Sequence, residues 1–340
     1  MKEKIARRNF LKTSAIALGA AVSNLKPVAS AATEDIAEQQ GKSRVFFIKD
    51  ISVPSLVRIY GKVNGEISGK IAIKLHSGEP HGANLLPIEL IKGLQSSIPG
   101  STIVECNVLY QGPRQKTETH RETLKTNGFD FCQFDIMDEE GDVPLPVAGM
   151  EDFLGERGGF TPEHAYTPGW HLTEVSVGKN LLKYDSLVVY THFKGHPMGG
   201  FGGSLKNIAI GCASGRNGKL QIHGYGWPGG PLFMERMVEA GKAVTSHFGK
   251  RITYINVLKN ISVDCDCLQK GAKPTCNDIG ILASTDILAI DKASVDLVYA
   301  QPDAQRHDMM QRIESRGGLH QIEYMRAMRM GNDQYQLVNV

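Results

Sequence analysis

Two histidines and a lysine lie close together near the middle of this 340-residue chain. His192 and His196 come first, and Lys206 follows them. Imidazole nitrogens bind zinc, iron and nickel and exchange protons near neutral pH. A lysine ammonium pairs with phosphate or carboxylate groups, and it becomes a nucleophile when burial lowers its pKa. The combination predicts a centre that handles a metal ion or a small anion.

A cluster of four glycines separates the second histidine from the lysine. Glycine weakens regular structure unless the backbone takes a positive φ or another group must approach it closely. The apolar run at 186–190 predicts a buried strand before the cluster, and the residues from 204 onward favour a helix after it. Such a loop presents backbone N–H groups to an anion or cofactor. The predicted cofactor-binding residues are Gly199, Gly200, Gly202, Gly203, Lys206 and Asn207.

The six cysteines include a Cys265-x-Cys267 pair, with Cys276 further along the chain. Three thiolates suit a soft metal, and a four-ligand iron–sulfur site would need Cys212 or a histidine as well. Small buried thiols are the alternative reading, and the aspartates nearby suit a hard cation equally well. The predicted metal ligands are His192, His196, Cys212, Cys265, Cys267 and Cys276. The cofactor prediction is a transition metal (nickel, zinc or iron) or an iron–sulfur cluster.

Strands and helices are predicted to alternate along most of the chain. This pattern favours an α/β fold with a mainly parallel sheet, helices on both faces and many loops, as one large domain or two closely joined ones. The predicted strands lie at 44–49, 70–76, 102–106, 131–136, 170–177, 186–190 and 251–257. The predicted helices lie at 87–94, 117–127, 232–248 and 291–299, with a helix pair within 311–330. Residues 139–169 read as a long loop or small insertion.

Polar clusters follow three of the predicted strands. His76 and Glu79 follow one, Arg114 lies after another, and the two central histidines follow a third. In doubly wound sheets, sites gather at the carboxyl ends of the strands. An arginine there can clamp a carboxylate with two hydrogen bonds. The predicted catalytic residues are His76, Glu79, Arg114, His196 and Lys206.

The first 31 residues have the features of an export signal. A basic start containing Arg7-Arg8 precedes a short apolar segment, which is too short to span a membrane, and Ala29-Ser30-Ala31 offers a cleavage site. The twin-arginine pattern predicts passage through the twin-arginine translocase in a folded state, and therefore a periplasmic or extracytoplasmic location. The mature part would begin at residue 32, with no transmembrane segment. Its formal charge would fall from +2 to −3, which does not suggest binding to nucleic acid.

Several segments together resemble the signature of the domain of unknown function 362 family. The likeness runs from about residue 71 to about residue 299. Its segments are Lys74-Leu-His76 with Gly78-Glu79, His192-Phe-Lys-Gly-His196, Gly200-Phe-Gly-Gly-x-Leu-Lys-Asn207, Gly211-Cys-Ala-Ser214, Tyr254-Ile-Asn256, Asp264-Cys-Asp-Cys267 and Asp278-Ile-Gly-Ile-Leu-Ala-Ser284.

The resemblance implies a fold and a site rather than a reaction, because the family has no settled activity. Many members carry a ferredoxin-like insert after the Gly-Cys-Ala-Ser segment, whereas this chain has no cysteine between Lys219 and Phe233. A more distant likeness is to the nickel-pincer lactate racemase group, in which a histidine, a Gly-Gly segment and a cofactor-holding lysine occur. His196 and Lys206 have a comparable separation here, and His223 lies further on.

These observations favour an exported metal- or cofactor-dependent enzyme that acts on a small anionic substrate. Two alternatives stay open. One is a redox accessory protein in which the cysteines hold a metal or an iron–sulfur cluster. The other is a periplasmic ligand-binding protein without catalysis.

Overall fold

The computed structural model describes residues 41–148 and 171–340. The predicted export signal and most of the predicted loop at 139–169 lie outside these ranges. The described strands are β1 (Ser43–Ile48), β2 (Ile71–Lys74), β3 (Thr102–Glu105), β4 (Phe134–Ile136), β5 (Asp142–Pro146), β6 (Glu174–Gly178), β7 (Ser186–His192), β8 (Lys194–His196), β9 (Gly200–Gly202), β10 (Ile252–Leu258), β11 (Gly280–Ser284) and β12 (Tyr335–Asn339).

Eight of these strands form one sheet in the order β12-β1-β11-β10-β7-β2-β3-β4. Seven run in the same direction, and β11 is antiparallel to both of its neighbours. Two small antiparallel pairs, β5–β6 and β8–β9, lie outside the sheet. The predicted α/β class with a mainly parallel sheet is therefore confirmed.

Nine helices belong to the described part of the chain. They are α1 (Val53–Tyr60), α2 (Ile88–Ser96), α3 (Thr117–Thr126), α4 (Ser204–Cys212), α5 (Gly218–His223), α6 (Gly230–Phe248), α7 (Ile287–Tyr299), α8 (Asp303–Ser315) and α9 (His320–Ala327). None of the helices in the ranges given above is both long enough and apolar enough to cross a membrane.

Two apolar cores cover the two faces of the sheet. Along β7, Leu187 and Val189 pack into one core with residues of α4, α6 and α7, whereas Val188 and Tyr190 pack into the other with residues of α1 and α2. The alternation follows because successive side chains of a strand point to opposite faces. A strand that is apolar on both faces must be covered on both, so helices lie on each side.

Several elements were not anticipated from the sequence. No strand or helix was predicted for α1, α5, β11 or β12. The β8–β9 hairpin lies where the sequence predicted a loop, and β6 pairs with β5 outside the main sheet. Strand β12 completes the sheet by parallel pairing with β1. The hairpin matters most, because it carries His196 and part of the glycine cluster.

Candidate functional site

Four neighbouring parallel strands deliver polar residues to the same edge of the sheet. His76 follows β2, Glu105 ends β3, His192 ends β7, and Cys265 and Cys267 lie in the loop after β10. Because these strands are parallel neighbours, their carboxyl ends meet at one edge. The predicted meeting of polar clusters from separate strands is therefore found.

The centre of this edge is a group formed by His196, Cys265 and Cys267. One potential ligand atom from each residue lies within 4.8 Å of the other two, and no second group of this kind occurs among the described residues. His196 and Cys265 are buried and Cys267 is partly buried. His76 adjoins the group, since its Nε2 is 3.9 Å from Cys265 Sγ. Sulfur and imidazole at this spacing can hold a metal ion.

The two cysteines differ in their proton affinity. A hydrogen bond from Cys267 lowers the pKa of Cys265 well below its usual range; burial opposes the shift, and Lys206, His76 and His196 add to it. The same hydrogen bond, together with burial, raises the pKa of Cys267. The backbone N–H of Cys267 also donates to Cys265 Sγ at 3.4 Å. Cys265 therefore forms the thiolate more readily than Cys267, and a thiolate is the form that binds metals.

The Lys206 ammonium supplies positive charge beside this thiolate. Within residues 41–148 and 171–340 it makes no hydrogen bond or ion pair, although it influences the groups around it. Burial and then the Lys206 charge hold the pKa of His196 well below its usual range. The same two causes, with Lys219, lower the pKa of His223 to about 3. Gly202 leaves space for the lysine stem, because a Cβ there would lie 3.3 Å from Lys206 Cδ.

The β8–β9 hairpin holds the cysteine loop in place through Gly195. The N–H of Gly195 donates to the Ser262 carbonyl at 2.7 Å. A Cβ on Gly195 would lie 2.1 Å from the Val263 carbonyl oxygen, so only glycine permits this approach. This contact places the loop that leads to Cys265 against the strand that ends at His196.

Asp266 fixes the turn between the two cysteines. Its carboxylate accepts from Lys194 Nζ at 2.6 Å and from His192 Nδ1 at 2.9 Å, and its carbonyl accepts from the Glu79 N–H at 3.0 Å. Burial opposes ionisation, but His192 and Lys194 hold the pKa of Asp266 far below its usual range. Neither Lys194 nor Asp266 was predicted as a site residue. Their positions in the sequence could have indicated a role in the site, because Lys194 lies between the two histidines and Asp266 lies between the two cysteines.

His192 does not join the metal-ligand group, although the sequence predicted it as a ligand. Its Nδ1 binds Asp266 and its Nε2 donates to the Lys259 carbonyl at 2.8 Å. Both ring nitrogens are therefore engaged in hydrogen bonds that support the cysteine loop.

Arg114 clamps carboxylates that belong to the chain itself. The guanidinium is 1% exposed and donates to Glu79 at 2.9 Å, to Glu105 at 3.2 Å and to the Tyr110 hydroxyl at 2.7 Å. The Tyr110 hydroxyl donates in turn to Glu79 at 2.5 Å. The predicted substrate clamp is therefore occupied internally, and Arg114 and Glu79 form a framework behind the site.

Glu105 joins this framework to His76. Its Oε1 lies 3.2 Å from His76 Nδ1, and its Oε2 accepts from the Ser77 hydroxyl at 2.5 Å. Burial raises the pKa of this carboxyl, but Arg114, His120 and His76 outweigh burial and hold the pKa well below its usual value. Sequence reasoning missed Glu105, although an acid as the last residue of a buried strand was a usable signal.

The N-terminus of α4 is capped by Asp291, a residue of α7. The carboxylate accepts from the Ser204 N–H at 2.7 Å and from the Leu205 N–H at 2.9 Å. A Cβ on Gly203 would lie 2.4 Å from Asp291 Oδ1, so this glycine permits the approach of the carboxylate. Burial raises the pKa of Asp291 to about 6. The sequence predicted that this helix terminus binds an external anion, whereas in the structure it binds the carboxylate of Asp291.

The remaining predicted cofactor residues have mainly structural contacts. Asn207 donates to the Tyr190 carbonyl at 3.0 Å and accepts from Lys74 Nζ at 3.0 Å, which ties α4 to β7 and β2. Gly199 ends the turn of the hairpin and Gly200 begins β9, with a φ of 78°. The Gly199 N–H points to the His196 ring.

Two of the predicted metal ligands, Cys212 and Cys276, lie apart from the ligand group. Cys212 ends α4 and is buried beside Cys106, whose Sγ donates to its carbonyl at 3.4 Å. Burial raises the pKa of Cys212 to about 11 and that of Cys276 to about 11. Because burial disfavours the thiolate, both behave as small apolar side chains. The described residues therefore do not assemble the four-cysteine site that the sequence allowed.

Comparison with known families gives one match that spans most of the chain. The model for "Domain of unknown function (DUF362)" matches residues 71–296. The chain belongs to this family. The match includes His76, His196, Lys206 and both cysteines of the ligand group, so the site described above lies within the family domain. A search of curated proteins found no match.

Solved structures of similar proteins include two at low identity. One is the lactate racemase apoprotein from Thermoanaerobacterium thermosaccharolyticum, with 15% identity and a TM-score of 0.38; the alignment covers 76% of this chain and 57% of that protein. The other is a protein from Thermotoga maritima, with 11% identity and a TM-score of 0.38; the alignment covers 80% of this chain and 60% of that protein. This member of the family thus spans less than two thirds of either protein.

Proposed function

We propose that this protein is an exported metal- or cofactor-dependent enzyme that acts on a small anionic substrate. The observation that carries the proposal is the group of His196, Cys265 and Cys267, whose potential ligand atoms lie within 4.8 Å of one another. Sulfur donors suit zinc, nickel or iron rather than magnesium or calcium. The lowered pKa of Cys265 supports this choice of ion, because the thiolate is the binding form.

Under the proposal, some residues at this edge of the sheet bind the metal ion and others contact the substrate. Cys265 and Cys267 hold the ion. A bound ion would supply Lewis acidity, polarising an oxygen of the substrate. Lys206, which has no partner among the described residues, pairs with the negative charge of the substrate. His76 lies beside Cys265 and is the nearest candidate for holding a proton.

Metal analysis of protein purified without oxygen tests the proposal. We expect about one zinc, nickel or iron per chain in the wild type, and loss of the metal in Cys265→Ser and Cys267→Ser. Cys276→Ser is the matched control, because this thiol lies outside the ligand group, and it should retain the metal. Equal metal content in Cys265→Ser and wild type would disprove the assignment. Iron with acid-labile sulfide would favour the redox accessory protein, and a wild type without metal or cofactor would favour the ligand-binding protein.

Ligand screening tests the anionic substrate separately. We propose thermal-shift measurements with a panel of small carboxylates and phosphates on the wild type, Lys206→Met and Lys206→Arg. The methionine variant keeps the length of the side chain without its charge, so stabilisation by anions should disappear in Lys206→Met and persist in part in Lys206→Arg. Stabilisation by the same anions in Lys206→Met would exclude a role for this lysine.

Export remains a proposal that rests on the sequence of residues 1–31. Replacing Arg7 and Arg8 with lysines should leave the precursor in the cytoplasm, because the translocase reads the arginine pair rather than the charge. Cell fractionation with an antibody to the mature chain measures this. Unchanged export of the double-lysine variant would point to the general secretory route instead.

A further inference from the structure

The turn between β8 and β9 fixes the ring of His196 by backbone hydrogen bonds. The Gly199 N–H donates to Nδ1 at 3.0 Å, and the Met198 N–H donates to the same atom at 3.3 Å. A backbone N–H can only donate, so Nδ1 must be the nitrogen that carries the lone pair. A neutral imidazole has one protonated and one unprotonated nitrogen, and the proton of His196 is therefore on Nε2.

Other states of the ring would break this arrangement. Turning the ring by half a rotation would place a carbon against the two N–H groups and leave both donors unpaired, which costs about 1–3 kcal/mol for a buried group. Placing a proton on Nδ1 would set N–H against N–H. The only nitrogen lone pair of the neutral ring therefore already accepts the two backbone hydrogen bonds. This holds whichever ring nitrogen is nearer to the cysteines.

A metal ligand needs the same lone pair. A histidine that binds a metal normally keeps its proton on the other nitrogen and donates it to a carboxylate or carbonyl. The surroundings of His196 are the opposite, because among the described residues its Nδ1 meets two N–H donors and no acceptor. Coordination by His196 would therefore require the hairpin turn to release both backbone bonds.

We propose that His196 is a hydrogen-bond donor to the ligand bound at the Cys265–Cys267 pair and is not itself a metal ligand. Nε2 makes no hydrogen bond to any residue of the described part of the chain, so its proton is free to meet an anionic oxygen or sulfur. This inference rests on the proposed function for the identity of the site's occupant. It removes His196 from the ligand group, so that among the described residues the sulfurs of Cys265 and Cys267 remain as its metal-binding atoms.

His76 provides an internal contrast. Its Nδ1 faces two donors, the Gly78 N–H at 3.2 Å and the Arg114 guanidinium at 3.3 Å, but Glu105 Oε1, an acceptor, lies 3.2 Å from the same atom. The surroundings of His76 therefore allow a proton on either nitrogen, whereas those of His196 allow one arrangement only.

Nitrogen NMR of the full chain with ¹⁵N-labelled histidine tests the tautomer directly. Correlations between ring protons and ring nitrogens report which nitrogen is protonated, and His196→Gln identifies the resonance. We expect an unprotonated Nδ1 and a protonated Nε2 in His196, both before and after zinc is added. A protonated Nδ1 in the zinc-loaded wild type would overturn the inference. The tautomer is read from the wild type, and His196→Gln serves only to assign the resonance.

Metal binding gives the second readout, using cobalt(II) as the probe. His196→Gln should bind cobalt with the stoichiometry of the wild type and with the same sulfur-to-cobalt charge-transfer band, whereas Cys265→Ser should lose affinity by about 100-fold or more. Loss of binding in a folded His196→Gln variant equal to that in Cys265→Ser would make His196 a ligand and refute the proposal. If the wild type binds no metal, the proposed metal centre fails, and the NMR result still decides the tautomer.

Discussion

Replacing Gly195 with alanine tests whether the hairpin positions the cysteine loop. A Cβ at this position would lie 2.1 Å from the Val263 carbonyl oxygen, whereas ordinary contact begins at 3.4 Å. The oxygen must therefore move by about 1.3 Å (3.4 Å minus 2.1 Å). Gly195 does not have a positive φ, so the strain comes from this overlap alone. Overpacking of this kind costs about 1–3 kcal/mol.

The displacement bears directly on metal binding. Cys265 lies two residues after Val263, and metal–ligand distances tolerate deviations of only about 0.2 Å. A shift of the loop away from β8 would alter the turn that sets the spacing of the two sulfurs. We expect Gly195→Ala to remain folded and to lose at least about tenfold in metal affinity, which is the range seen when the supports of metal ligands are removed.

Competition with a chromophoric chelator measures the affinity, and urea unfolding measures the stability. Gly65→Ala is the matched control, because a Cβ there meets no atom of the described residues within 4 Å and this glycine also lacks a positive φ. The control should match the wild type in both assays. Wild-type metal affinity in Gly195→Ala, with an unchanged free energy of unfolding, would refute the role assigned to the hairpin.

Two further predictions concern buried charges. Asp266→Asn should lower the free energy of unfolding by about 3–5 kcal/mol, because Lys194, which is 4% exposed, loses its partner. In the wild type the stabilisation by ionised Asp266 is present above the unfolded-state pKa of about 3.9 and is lost on further acidification, since the folded pKa is lowered. Urea unfolding at pH 7 measures the cost of Asp266→Asn. A cost below about 1 kcal/mol would contradict the prediction. His320 Nε2 lies 2.8 Å from Glu235 Oε1, and although burial opposes the shift, hydrogen bonds to Glu235 and Glu323 raise the pKa of His320 to about 9. The contribution of protonated His320 to stability, at most about 3 kcal/mol, should be complete below pH 6.5 and decline as the pH rises through 9. Thermal melts from pH 6 to pH 10 should show this decline, and Glu235→Gln should flatten it. Parallel curves for the variant and the wild type would exclude the His320–Glu235 pair as the source of the decline.

The sequence alone determined the α/β class, the mainly parallel sheet and the edge of the sheet at which the site lies. Apolar runs of four to seven residues alternating with helical patterns predicted the main strands, because strands buried on both faces must be apolar throughout. The same order placed His76, His196 and Cys265 after strands, and parallel strands bring such residues to one edge. Residue type was enough to predict sulfur and imidazole donors for a soft metal.

The partner of each polar group was decided only by the tertiary structure. Arg114 and the glycine loop were expected to hold an external anion, and the fold supplies both with carboxylates from the chain, as Asp291 at the start of α4 shows. Asp291 lies 87 positions from Ser204 in sequence, and no local pattern encodes such an approach. The tendency of a segment to form a helix or strand depends on side chains that are neighbours in sequence. A buried charge instead pairs with whichever group the packing of distant elements brings within about 3 Å. For that reason the sequence could indicate which residues are able to bind a metal or an anion. The fold determined that Cys265, Cys267 and Lys206 can contact a ligand. It also determined that His192, Arg114 and Asn207 already bind other groups of the chain.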